Sequence, residues 1–118
     1  MLKRQFYFLL VMMALSGHAY GCGFLESGDP KVGSMVDGSV SRVALTFSEK
    51  VYPAASEILV TNVEGGRMNV GKAFGVSGND ALVVTSVKTL PPGKYKVSWK
   101  VLCDCGSLMP GSYKFTVR

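Results

Sequence analysis

The chain is 118 residues long, 47% hydrophobic and 18% charged, with 13 basic and 8 acidic residues. That length suits a single domain, and the lysines are spread along several segments instead of forming a block, which argues against a nucleic-acid-binding role. The one histidine, His18, lies near the N-terminus. The rest of the chain therefore lacks a Ser/His or Cys/His pair, and its acidic residues are scattered, so the composition speaks against an enzyme.

The first segment reads as a targeting signal. Lys3 and Arg4 form a short basic start, Phe6 to Leu15 is continuously apolar, and small residues follow at Ser16, Gly17, Ala19 and Gly21. A membrane-spanning helix needs about 20 apolar residues, and this run is half as long. Residues 1–21 are expected to be a cleaved signal peptide and 22–118 an exported domain; the alternative is a buried N-terminal helix. No later stretch is long enough to span a bilayer. Both leader charges are basic, so the mature chain is only mildly basic.

Beyond the leader the chain reads as short alternating runs. Arg42 to Phe47 places Val43, Leu45 and Phe47 on one face. Glu57 to Asn62 is a second strand, and residues near Arg67 to Val70 a short third. Ala81 to Val87 is rich in valine and threonine, which favour strands. Lys94 to Leu102 alternates strictly, with Tyr95, Val97, Trp99 and Val101 facing in. Ser112 to Arg118 repeats the pattern with Tyr113, Phe115 and Val117. Turn signals separate the runs at Asp37-Gly38, Gly65-Gly66, Gly78-Asn79-Asp80, Pro91-Pro92-Gly93 and Pro110-Gly111. Several short strands at this spacing predict an all-β, immunoglobulin-like Greek-key sandwich. Leu90-Pro-Pro-Gly-Lys-Tyr95 has the form of a tyrosine corner.

A few positions carry chemistry. Glu49 follows Phe47 by two, so parity turns it inward at a strand end, where a carboxylate is costly unless it reaches the rim or a partner. Cys103-Asp104-Cys105 follows the Trp99 strand, with Cys103 inward by parity. Cys22 falls at or near the mature N-terminus. Three cysteines in an exported chain leave one without an internal partner, or with a lipid or metal on it.

These residues resemble the CopC copper-binding family. Pro30-Lys-Val-Gly33-Ser34 is similar to its Pro-x-x-Gly turn, and Leu45-Thr-Phe-Ser-Glu-Lys-Val51 to its Leu-x-Phe-Ser-Glu-x-Val signature. Leu90-x-Pro-Gly-x-Tyr-x-Val-x-Trp99 and Gly111-Ser-Tyr-Lys-Phe-Thr-Val117 also match. The likeness runs over residues 22 to 118. It implies a periplasmic copper carrier with a membrane copper transporter as partner. It also implies a Cu(II) site made of an N-terminal histidine, the Phe-Ser-Glu glutamate and an Asp-x-His after the tryptophan strand. Carried over residue by residue, the glutamate is Glu49, the N-terminal histidine falls on Cys22, the aspartate on Cys105 and its histidine on Ser107. Asp104 replaces the aspartate if the loop shifts by one. The methionine-rich loop of some members is absent, leaving only Met68 in that stretch.

The resemblance thus implies that Cys22 and Cys105 converge. One expectation is a Cys22–Cys105 disulfide closing a loop of roughly 80 residues, worth on the order of 4 kcal/mol, in a metal-free structural or interaction module. The other is a soft-metal site of Cys22, Glu49, Cys103, Asp104 and Cys105, with copper as Cu(I) favoured over Cu(II). Two alternatives concern the start of the mature chain: lipidation of Cys22, or cleavage before His18, which would supply an imidazole and a free amino terminus. A monomer is expected.

Overall fold

A computed structural model describes residues 23–118. The expected leader, with His18 and Cys22, lies outside the described residues. Eight strands run in chain order: β1 (Leu25–Asp29), β2 (Met35–Val36), β3 (Arg42–Phe47), β4 (Glu57–Asn62), β5 (Asn69–Val76), β6 (Asn79–Val87), β7 (Gly93–Leu102) and β8 (Leu108–Val117). They form two four-stranded sheets with orders β1-β3-β6-β5 and β2-β8-β7-β4. This is the expected all-β, immunoglobulin-like sandwich. The chain changes sheet at every connection from β1 to β5 and again between β6 and β7, so residues distant in sequence meet at the ends of the sandwich.

Alternation builds the core. Val43, Leu45 and Phe47 of β3 are buried, and so are Ile58 and Val60 of β4. Tyr95, Val97 and Val101 of β7 and Tyr113, Phe115 and Val117 of β8, in the same sheet as β4, face the β3 side chains across the sandwich. Burying each aliphatic or aromatic side chain contributes ~1.5–3 kcal/mol. The half-buried Trp99 ring stands edge-on to Phe47 at 6.1 Å and tilted against Tyr113 at 6.0 Å. The tyrosine corner is present: the Tyr95 hydroxyl donates to the Pro91 carbonyl at 2.5 Å.

Strand boundaries depart from the sequence reading in three places. The short third strand expected near Arg67 to Val70 is an eight-residue strand, Asn69–Val76. It forms an outer edge with no clean alternation of burial, so periodicity did not report it. The expected turn Gly78-Asn79-Asp80 narrows to Ser77-Gly78, with Val76 paired to Asn79 and Gly78 at φ +90°. Pro110-Gly111, expected to be a turn, lies inside β8 opposite Lys100 and Trp99. Proline is tolerated there because β2 covers β8 only at Thr116 and Val117, leaving its first half as an edge.

Candidate metal centre at one end of the sandwich

The end of the sandwich where β3 stops and β7 turns into β8 is closed by the crossover of residues 48–56. Ser48 is held by a reciprocal pair: its N–H donates to the Phe24 carbonyl, and its hydroxyl accepts from the Phe24 N–H, both at 2.9 Å. Two residues beyond Glu49, the Val51 N–H donates to Asp80 O at 2.9 Å, and Val51 makes an isolated antiparallel bridge with Cys103. The Asp104 N–H donates to Lys50 O at 3.0 Å. Glu49 is thus carried on a segment tied on both sides, which fixes its half-buried side chain at the rim, as parity at the end of β3 suggested.

The Cys-Asp-Cys segment is fixed from the other direction. The Leu102 N–H donates to Ser56 Oγ at 3.0 Å, and its carbonyl accepts from Tyr52 N–H at 3.0 Å. A single turn of the 3-10 type, Pro53–Ala55, holds that serine in place. Beyond Leu102 the chain curls tightly: Cys103 N–H donates to Ser107 O at 3.2 Å and Gly106 N–H to Cys103 O at 2.9 Å. The turn closes through Gly106 at φ +88°.

These two constraints bring three ligand-type side chains together. One carboxylate oxygen of Glu49 and the sulfurs of Cys103 and Cys105 all lie within 4.8 Å of one another. Cys103 is fully buried and Cys105 exposed. Their sulfurs are 3.0 Å apart, and the Cys103 sulfur also lies 3.5 Å from Ser107 O. Cys103 is a free thiol, whereas Cys105 is disulfide-bonded.

Asp104 is not among the three. Its exposed carboxylate accepts a hydrogen bond from the Tyr52 hydroxyl at 2.7 Å. That bond, followed by some desolvation and the negative charges of Asp104 and Asp80, raises the Tyr52 pKa above its usual value. Lys50 Nζ lies 5.4 Å from the centre of the same ring. Tyr52 escaped the sequence reading because its partner is 52 positions away. Met109 escaped it as well. This half-buried thioether lies against Gly23, so close that a Cβ at Gly23 would sit 3.1 Å from Met109 Sδ. The described chain therefore begins against β8 and Ser48, one residue from Glu49.

Residues 25–118 match the CopC domain family model. The chain belongs to the CopC domain family. It is 30% identical over 97 residues to "Copper resistance protein C" of Xanthomonas campestris pv. juglandis, a match spanning 74% of this chain and 76% of that protein. Among solved structures it superposes on CopC from Methylosinus trichosporium OB3b with a TM-score of 0.75 at 30% identity, covering 80% of this chain and 92% of that one. It also superposes on PcoC, a methionine-rich copper resistance protein from Escherichia coli, with a TM-score of 0.70 at 25% identity, over 81% and 98% of the two chains. Against that CopC background, the described residues hold no histidine, and two cysteines stand beside the glutamate.

Proposed function

We propose that this protein is an exported, periplasmic copper-binding member of the CopC family, in which a thiolate site for Cu(I) replaces the histidine site for Cu(II) that the family resemblance implies. The observation that carries this reading is the convergence of Glu49, Cys103 and Cys105 within 4.8 Å at the rim where the family motifs meet. Soft thiolates suit Cu(I), and an imidazole-free set does not suit Cu(II). Copper is cargo here, passed to or from a membrane copper transporter and not used for catalysis.

The redox state of the cysteines decides whether the site is competent. A disulfide sulfur is a poor ligand, so in the disulfide-bonded form Cys105 contributes no thiolate. Of the three cysteines in the chain, Cys22 is the one left to pair with Cys105 once Cys103 is free. Gly23 against Met109 supports this pairing, because it brings the chain to the correct end of the sandwich. Reduction would then place Cys22, Cys103 and Cys105 around one ion, with Glu49 beside them.

The disulfide at Cys105 also favours a second reading, a metal-free interaction module on a CopC scaffold. Competition titration with Cu(I) and separately with Cu(II) distinguishes the two. The copper reading expects the reduced protein to take up one Cu(I), with affinity falling at least tenfold in Cys105→Ser, and the disulfide form to take up none. Absence of tight Cu(I) binding by the fully reduced protein would leave the interaction module.

A further inference from the structure

We propose that the outer face of the β2-β8-β7-β4 sheet is a docking surface for an anionic phospholipid bilayer, on which the domain lies with this sheet against the headgroups. The inference is independent of copper and of the state of the cysteines.

The sheet collects lysines that the sequence keeps apart. On β7, Lys94, Lys96 and Lys100 alternate with the core residues Tyr95, Val97 and Val101, so they point away from the core, and Lys114 of β8 stands opposite Lys96. All four lysines are exposed. The one carboxylate carried by these four strands is Glu57, across from Lys100. Among the described residues no carboxylate comes within ion-pair distance of the four; the ion pair present joins Arg118 to Asp37. Lys3 and Arg4 apart, the chain carries eleven basic and eight acidic residues. Four lysines and Glu57 belong to this sheet, and the remaining seven of each sign cancel, so the positive excess of residues 23–118 is gathered on one face. Like charges directly opposite one another, as at Lys96 and Lys114, are unfavourable in an isolated sheet. An anionic layer within the ~8–10 Å over which charge acts at ordinary salt offsets that repulsion.

Shape and chemistry select a bilayer over an acidic protein segment. These strands carry lysine and no arginine. Lysines are point charges suited to a diffuse layer of phosphates, without the planar fork that grips individual carboxylates. A peptide cannot add as a further strand beside β4, because Asn69 takes the Val60 N–H and the Ile58 carbonyl on that edge, and the Met68 N–H takes the Val60 carbonyl. Exposed apolar side chains share the lysine face. Leu59 lies opposite Ser98, Leu108 opposite Leu102 and Met35 beside Thr116, and they are 41%, 56% and 57% exposed. At a bilayer such side chains enter the headgroup layer while the lysines stay with the phosphates. Each lysine that reaches an anionic membrane surface raises affinity roughly fivefold. Lys96 stands seven residues before Cys103, roughly 23 Å along the strand, so a bilayer on the lysines leaves the Glu49 rim uncovered.

The test uses the exported protein with two kinds of vesicle, phosphatidylcholine alone and phosphatidylcholine mixed with phosphatidylglycerol. Co-sedimentation should show binding to the mixed vesicles that falls at least tenfold in high salt and when Lys94→Gln, Lys96→Gln and Lys114→Gln are combined. Combining Lys31→Gln, Arg42→Gln and Lys88→Gln, which changes net charge equally away from this face, should alter binding less than twofold. Acetylation of the unaltered protein, mapped by mass spectrometry, should find Lys94, Lys96, Lys100 and Lys114 protected by the mixed vesicles and Lys31 and Lys88 as reactive as before. Equal losses in the two triple variants, or vesicle-bound protein whose four lysines stay reactive, would overturn the proposal. Absence of binding to the mixed vesicles would overturn it as well, and retention on immobilised polyglutamate through the same lysines would then assign the face to an acidic protein.

Discussion

Asn69 shows how one side chain can hold two sheets in register. It is buried, its Oδ1 accepts from the Val60 N–H and its Nδ2 donates to the Ile58 carbonyl, both at 3.0 Å. A β5 side chain thus stands in for a neighbouring strand along the edge of β4. Asn69→Leu would leave two buried backbone groups unpaired, at about 1–3 kcal/mol each. Urea denaturation should show a loss of about 2–6 kcal/mol. Tyr113 acts at the same scale. Its hydroxyl donates to Pro30 O at 2.6 Å, and burial, with a smaller contribution from the charge of Asp29, pushes its pKa up to about 12. The folded pKa lies above the unfolded one, so this contribution is fully present below pH 10. It falls between pH 10 and about 12 and is gone above that. Two units correspond to about 2–3 kcal/mol. Absorbance titration near 295 nm should show a late-ionising tyrosine component that Tyr113→Phe diminishes. Neither residue's role was legible in the sequence: the Tyr113 bond reaches 83 positions along the chain, and the Asn69 bonds depend on how β5 crosses to the other sheet beside β4.

At the scale of elements, legibility followed burial. β3, β4, β7 and the second half of β8 were readable because each presents one face to the core, and β6, buried on both faces at Val83, Val84 and Thr85, was readable from its valine and threonine content. β1 and β2 were missed: Leu25–Asp29 has a single apolar residue and lies at an edge, and Met35–Val36 is only two residues long. The first half of β8 was hidden by Pro110-Gly111, whose real role is packing. Gly111 pairs with Trp99, and a Cβ there would collide with the indole ring. Gly111→Ala should push Trp99 off Phe47 and Tyr113, costing ~1–3 kcal/mol. A lower urea midpoint with altered fluorescence of Trp99, the chain's one tryptophan, would be the readout. For the site, parity placed Glu49 at the rim and Cys103 inward. The meeting of Cys105 with both depends on the 48–56 crossover and the Cys103–Ser107 turn, which no local pattern encodes; the family motifs alone pointed to it.

At the scale of the whole molecule, the sandwich is a scaffold that brings β3, β7 and the N-terminal arm to one end. A Cys22–Cys105 disulfide would tie that arm across roughly 80 residues and stabilise the fold by on the order of 4 kcal/mol. Reduction should lower the denaturant midpoint accordingly, and Cu(I) should restore part of it by binding the folded state in preference to the unfolded one. Stability, redox state and metal occupancy are then linked at a single rim. The central claim, that the reduced rim holds Cu(I) through sulfur, is tested most directly by X-ray absorption at the copper edge on the reduced, Cu(I)-loaded protein. Copper should be surrounded mainly by sulfur, with one sulfur scatterer lost in Cys103→Ser. A shell of nitrogen and oxygen alone, unchanged by that substitution, would contradict it.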